Sequence, residues 1–287
     1  MRLCRFDKGR LGLVEGDRVR DVTAALDILE PQRYPLPAHD IFIAALPAVR
    51  ERIAVLAPAS ATMPIDAVHL LSPVANPGKI IAAPVNYQTH LDEVRGDAQL
   101  HHGNPSHTVT IQSAGVFLKA SSSIAGPGDG VVICKPERRT DHEVELACVI
   151  GRRAKQVTGE EALSCVAGYA IGLDITIRGS EDRSLRKSPD SYSVLGPWLV
   201  TADELQDPGA LDLELHVNGE LKQRSNTRNL ILGVQQLIEL ASGFYTLEPG
   251  DIIYTGTPDG VGPIVAGDTI RAAITGIGAM EVGIRGN

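Results

Sequence analysis

The residues from Asp141 to Ile150 combine two carboxylates with a run of apolar side chains. In a strand, side chains alternate, so Glu143, Glu145, Ala147 and Val149 share one face, while Val144, Leu146, Cys148 and Ile150 share the other. Apolar residues on both faces predict a strand buried on both sides. An unpaired carboxylate costs several kcal/mol in such a place, so Glu143 and Glu145 require positive charge beside them. A hard cation or two basic side chains would supply it. A second apolar run, Val166 to Leu173, ends on Asp174. Three carboxylates at the ends of core strands, with no Cys or His at ligand spacing, suit Mg²⁺ or Mn²⁺ better than Zn²⁺. The plainer alternative leaves Glu143 and Glu145 on a solvated strand end and lets Asp174 cap a turn.

A second pair follows the expected strand Lys79 to Ala83. His90 and Glu93 are three residues apart, so on a helix they lie on one face and can hydrogen-bond. A carboxylate that orients an imidazole makes it a stronger base. As an isolated pair it would be an ordinary surface contact. The polar stretch from Gly96 to Ser113 is expected to be a long mobile loop of the kind that closes over a site. Its histidines His101, His102 and His107 have no thiol or carboxylate to complete a zinc site.

The elements that must hold these groups are mostly short strands. Leu3 to Phe6, Arg10 to Val14 and Arg18 to Val22, with turns at Asp7-Lys8-Gly9 and Glu15-Gly16-Asp17, form a β-meander. Helices are expected near Thr23 to Leu29 and from Ile41 to about Leu56, interrupted by the Pro-rich stretch Pro31 to Pro37. Pro58, Pro64, Pro73 and Pro77 mark a connector, which divides a small N-terminal domain, residues 1–72, from a main domain, residues 73–287. Val116 to Lys119 reads as a strand. Gly126 to Gly130 is a β-turn, since no Gly-Lys-Ser/Thr opens a helix after it. The charged segment Thr176 to Lys187 is expected to be mostly a solvated helix face. Asn218-Gly219 marks a type I′ hairpin, and Leu230 to Phe244 has helical apolar spacing. Repeated Gly-Asp turns between short strands argue for a mainly β main domain, neither a Rossmann fold nor a TIM barrel.

With 287 residues the chain is long enough for a large core, and 43% hydrophobic against 22% charged residues is ordinary for a globular protein. A formal charge of −8 argues against nucleic-acid binding. Charges near Met1 stand where a signal peptide would be apolar, and no apolar stretch would span a bilayer, so a cytoplasmic protein is expected. Cys4, Cys134, Cys148 and Cys165 are widely spaced and read as reduced thiols.

The order of these motifs resembles the fumarylacetoacetate hydrolase family from about Pro73 to Arg285. The matching residues are Asn86-Tyr87 with His90 and Glu93, Phe117-Leu118-Lys119, and Glu143-Val144-Glu145-Leu146. They continue with Gly168-Tyr169 leading to Asp174, Lys187-Ser188, Leu195-Gly196-Pro197-Trp198, Asn218-Gly219-Glu220, and Thr255-Gly256-Thr257-Pro258 followed by Gly260-Val261-Gly262. The resemblance implies an α+β protein, mainly β, with a mixed β-roll catalytic domain, usually a homodimer binding Mg²⁺ or Mn²⁺. It implies that Glu143, Glu145 and Asp174 are metal ligands and that His90 and Glu93 activate water. It puts Lys187 near the reacting atoms, with Lys119, Arg178, Thr257 and Tyr87 around the substrate. Pro84, Gly179, Glu181 and Pro189 depart from the common pattern around the expected substrate pocket.

The implied activity is hydrolysis of a C–C bond in a small 2-oxo acid of the acylpyruvate or fumarylpyruvate type, in aromatic-compound or amino-acid breakdown. The same enolate chemistry without a hydrolytic water would decarboxylate an oxaloacetate-type acid or isomerise a 2-hydroxydienoate. A non-catalytic metal- or ligand-binding protein is the reading from another class.

Overall fold

In the computed structural model, residues 1–102, 108–205 and 207–286 are described. Twelve strands form the largest sheet. Its path runs Thr62–Pro64, Arg18–Asp21, Arg10–Glu15, Arg2–Phe6, Ser193–Thr201, Val166–Asp174, Val144–Ile150, Ile252–Tyr254, Ile80–Ala82 and Phe117–Lys119. Leu70–Leu71 and Ile124–Ala125 pair off this path. A five-stranded sheet orders Glu220–Asn226, Asp212–Val217, Thr269–Ile274, Gly278–Gly286 and Val131–Ile133, and a small one joins Thr176–Ile177, Thr140–His142 and Gly262–Pro263. The architecture is α+β, as expected.

The alternation read from the central strand feeds two cores. Val144, Leu146, Cys148 and Ile150 pack with Ile171, Leu173 and the inner face of the five-stranded sheet, including Leu215, Ile270 and Val282. Ala147, Val149 and Ala170 face the other way, onto Ile80, Ile252, Tyr254 and the apolar sides of the N-terminal helices, including Phe42, Ile43, Val49 and Ile53. Truncating a fully buried residue such as Leu146 to Ala removes about 2–5 kcal/mol. The strand that carries the acidic residues is thus the wall shared by both cores.

The first strand, Arg2–Phe6, pairs antiparallel with Ser193–Thr201 in the register Arg2↔Val200 and Leu3↔Leu199. Residues 1–72, expected as a small domain, add strands to this sheet, and their side chains enter both cores: Phe6 and Val19 one, Leu3, Val49 and Ile53 the other. Local expectations shift where tertiary contacts intervene. The helix expected from Ile41 splits into Ile41–Ala44, capped by Asp40, and Leu46–Leu56. The one expected from Leu230 begins at Val234, because Ile231 and Leu232 donate their N–H groups to Asn86 instead. Asn218 and Gly219 adopt the positive φ angles of the predicted turn. Within the expected loop, Ala98–His101 and Ile111–Ala114 are helical, while residues 103–107, including His107, lie outside the described residues.

The four cysteines are free. No helix among the described residues is long and apolar enough to cross a membrane.

Candidate active site

Glu143 lies in the link between Thr140–His142 and Val144–Ile150, and Glu145 is one residue into the latter. Asp174 ends the neighbouring strand, where its N–H donates to the Glu143 carbonyl at 2.9 Å. One oxygen from each of these three buried side chains lies within 4.8 Å of the others. Opposite Glu145 the ladder places Gly172, and no side chain would fit there: a Cβ would stand 2.5 Å from the Tyr254 ring. That ring is fixed by its hydroxyl, which donates to the Val194 carbonyl at 2.7 Å.

Buried cations meet the carboxylates. Lys187 Nζ donates to Glu143 and to Asp174, both at 2.7 Å. Lys119 Nζ takes the other Asp174 oxygen at 2.5 Å and the Tyr192 carbonyl at 2.7 Å. Arg178 donates to Glu143 at 3.0 Å and to Asp141 at 2.7 Å, and Asp141 also holds Arg139 through 2.7 and 2.9 Å bonds. Burial opposes ionisation of Glu143, but Lys187 and then Arg178 outweigh it and hold the carboxyl down at about 2. Burial lowers the Lys119 pKa even though Asp174 works against it. The segment expected as a solvated helix face is corrected here: Arg178, Arg186 and Lys187 are buried, because the carboxylates that neutralise two of them lie inside the protein.

Glu145 differs. Its one described hydrogen bond comes from Gly256 N–H at 2.6 Å, and burial followed by the nearby Asp174 and Glu143 charges pushes its pKa well above the carboxylate range. The Tyr87 hydroxyl is buried with no partner among the described residues, within the field of Glu145.

The helix Gln88–Gly96 carries the imidazole and its orienting acid. His90 Nδ1 lies 2.8 Å from Glu93, whose other oxygen accepts the Gly260 N–H at 2.9 Å. A carboxylate can only accept, so the proton sits on Nδ1 and the Nε2 lone pair is the basic one. His90 is buried and lies close enough to Glu143 that its protonated form helps hold that carboxyl ionised.

Gln223, which the sequence reading passed over, joins the two sheets at this point. Its Oε1 accepts from Val144 N–H at 3.0 Å and faces His142 Nδ1 at 3.1 Å, and its Nε2 donates to Thr257 Oγ1 at 2.8 Å and to the Pro258 carbonyl at 2.9 Å. Thr257 in turn donates its hydroxyl proton to the Val144 carbonyl at 2.9 Å. The Thr257 hydroxyl, expected beside the substrate, thus has its proton committed within the protein and retains only acceptor capacity. Asn86 performs a similar service, bonding to Leu232 and Thr255 at 2.8 Å. Only the position of Asn86 in a motif signalled such a role; Gln223 sits on a strand whose neighbouring side chains are mostly exposed.

The donor set fits a hard divalent cation. It is made of carboxylate oxygens, it holds one carboxyl that is destabilised as an anion without added positive charge, and each oxygen already bonded to a lysine keeps a lone pair. The structure thus brings His90, Glu93, Lys119, Glu143, Glu145, Asp174, Arg178 and Lys187 together, with Tyr87 and Thr257 at the edge.

Comparison with known proteins agrees. The profile of the family described as fumarylacetoacetate (FAA) hydrolase C-terminal matches residues 79–285. A maleylpyruvate hydrolase of Aquipseudomonas alcaligenes is 55% identical over 285 residues, 99% of each chain. The crystal structure of maleylpyruvate hydrolase from Sphingobium sp. SYK-6 in complex with manganese(II) ion and pyruvate superposes with a TM-score of 0.84 at 42% identity, covering 100% of both chains. A 2,4-didehydro-3-deoxy-L-rhamnonate hydrolase of Sphingomonas sp. is 39% identical over 222 residues, 73% of this chain and 74% of the relative.

Proposed function

This chain belongs to the fumarylacetoacetate hydrolase family, and from that premise we propose that it is a divalent-metal-dependent hydrolase that cleaves the C–C bond of a maleylpyruvate-type acylpyruvate in aromatic-compound catabolism. The observation that carries the reading is the convergence of Glu143, Glu145 and Asp174 within 4.8 Å, beside an imidazole oriented by Glu93. Glu143, Glu145 and Asp174 would hold Mn²⁺ or Mg²⁺, which when bound supplies Lewis acidity toward the 2-oxo carboxylate and toward the enolate charge that develops.

The chain's own residues supply the proton chemistry. Glu93 keeps the His90 proton on Nδ1, and Nε2 removes a proton from water. The resulting hydroxide adds to the acyl ketone. The bond between that carbon and the methylene carbon of the pyruvyl part then breaks, its electron pair passing into the pyruvate enolate. The acyl part leaves as a carboxylic acid, maleate for a maleyl group, and the enolate carbon takes back a proton to give pyruvate. Lys187 is the cation beside the developing charge. Lys119 and Arg178 act first on the protein's own carboxylates, holding Asp174 and Glu143 in place, and so border the substrate rather than grip it. The Thr257 turn and Tyr87 complete the substrate wall.

We place the enzyme in the cytoplasm as a homodimer. Four free thiols support the first, and exposed apolar side chains at Tyr34, Leu36 and Phe244, which a second copy could cover, support the second. The enzymatic reading is tested by incubating purified protein with maleylpyruvate and Mn²⁺ and measuring pyruvate and maleate. Equimolar products, abolished by EDTA, are expected; tautomerisation without C–C cleavage would overturn it.

A further inference from the structure

The helix that carries His90 and Glu93, Gln88–Gly96, is anchored firmly at its start. Asn86, buried two residues before it, donates to the Leu232 and Thr255 carbonyls and accepts the Ile231 and Leu232 N–H groups. At the far end Val94 packs with Leu100 and Val261, and past Asp97 the chain continues into Ala98–His101. A base carried on a helix is aimed only as well as both ends are held.

Arg139 meets that far end from the side of the acidic strands. Its guanidinium faces two ways. Nε and Nη2 fork onto Asp141 at 2.7 and 2.9 Å, while Nη1 donates to Gln99 Oε1 at 2.8 Å and lies 4.0 Å from Asp97. Asp97 also accepts the Gln99 N–H at 2.8 Å, capping the short helix that Arg139 touches. Inward, the buried Asp141 takes Arg178 at 2.7 Å, and Arg178 donates to Glu143 at 3.0 Å. The Arg178 N–H bonds to the Arg139 carbonyl at 2.9 Å, which fixes the two arginines on adjacent strands. A line of charge-assisted hydrogen bonds therefore joins the acidic triad to the end of the dyad helix. Its inner fork is partly buried and its outer bond to Gln99 is exposed. A covering segment that must open for substrate and close for chemistry needs a firm root and a breakable tip of this kind.

Resting on the hydrolase reading, we infer that Arg139 is a positioning residue: a latch that seats the dyad helix against the carboxylate side of the site and keeps His90 Nε2 aimed at the water it deprotonates. It acts through Gln99 and Asp141, not on the reacting atoms. A guanidinium presents one edge to Asp141 and its remaining nitrogen to Gln99, a division that a single ammonium does not reproduce.

The test measures maleylpyruvate cleavage with Mn²⁺ in the wild type, Gln99→Ala, Arg139→Gln and Arg139→Lys, and repeats Gln99→Ala in a His90→Ala background. Gln99→Ala leaves the Asp141 fork intact and should lower kcat about 3- to 10-fold, with KM and Mn²⁺ affinity within about twofold of the wild type. Arg139→Gln should lose at least as much, and Arg139→Lys should not restore it. Amide hydrogen exchange over residues 88–101, read by mass spectrometry, should quicken in Gln99→Ala. Once His90 is removed, adding Gln99→Ala should change the residual rate by less than about twofold, because its effect passes through the imidazole. An unaltered kcat or unchanged exchange in Gln99→Ala, full activity in Arg139→Lys, or an equal loss with and without His90 overturns the latch. Gln99 is exposed, so its variant carries the test if Arg139→Gln does not fold. A wild type that cleaves no maleylpyruvate would instead overturn the functional reading and this inference with it.

Discussion

Gly260 donates its backbone N–H to Glu93 over 2.9 Å, so the carboxylate that orients His90 is itself clamped from the opposite side of the site. Gly260 has a φ of +89°, and a Cβ there would stand 2.1 Å from the Lys222 carbonyl oxygen. Only glycine fits.

Gly260→Ala therefore pushes the turn away from Glu93 and slackens the dyad. The expected result is a lower Tm together with a kcat reduced at least about tenfold, at a Mn²⁺ affinity near that of the wild type. Calorimetric melting, metal titration and steady-state kinetics check it, and an unaltered kcat would detach the clamp from catalysis.

His90→Ala removes the base itself. Activity should fall about 10²- to 10⁴-fold while Mn²⁺ still binds, since none of the clustered carboxylates is lost. Glu93→Gln should fall comparably: both carboxylate oxygens accept N–H bonds, so the amide must turn its NH2 toward either the Gly260 N–H or His90 Nδ1, losing the clamp or the Nδ1–H tautomer. Rates and metal titrations on the two variants decide between a base and a merely structural histidine.

Metal binding should carry a proton signature. Without the ion, burial and the Asp174 and Glu143 charges keep the Glu145 pKa well above 4.5, so the ion has to displace a proton. Raising the pH removes that competition. Affinity should therefore strengthen as pH rises from about 4.5 toward neutrality and weaken as it falls, by up to about tenfold per unit, with release of close to one proton per ion. Titration calorimetry in two buffers of different ionisation enthalpy measures the proton; none released anywhere in that range would contradict the electrostatics derived for Glu145.

Gln223→Ala strips Val144 N–H, the Pro258 carbonyl, Thr257 and His142 of a shared partner inside the protein. A loss of about 3 kcal/mol is expected in denaturant unfolding. Gln223→Glu should be no remedy, because a carboxylate cannot donate to Thr257 or Pro258. KM should rise in both, through the displaced Thr257 turn.

Much of this centre was legible in the chain because its signals are local. Alternation from Glu143 to Ile150 revealed a doubly buried strand with charges on it, and the spacing of His90 and Glu93 placed them on one helix face. The order and spacing of the remaining motifs, through their resemblance to a family, supplied the rest. What stayed hidden depends on which distant groups meet. Arg178, Arg186 and Lys187 look like solvent-facing charge until Asp141, Glu143 and the Ile177 carbonyl are known to lie beneath them. Gln223 is one polar residue among several on its strand, and only the approach of a second sheet makes it a junction. The same holds for Arg2–Phe6, a short meander strand by composition, whose union with Ser193–Thr201 no nearby residue announces.

That union has a consequence for biosynthesis. On the ribosome Leu70 and Leu71 can close the Arg5 and Phe6 end of the opening strand early, but its Arg2 and Leu3 end must wait, unzipped on one flank, until roughly two hundred residues have emerged and Val200 can come alongside Arg2. Assembly of the enzyme is thus closed late by a long-range event, and during translation the nascent chain offers a bare β-edge that chaperones, or another nascent copy, can occupy first.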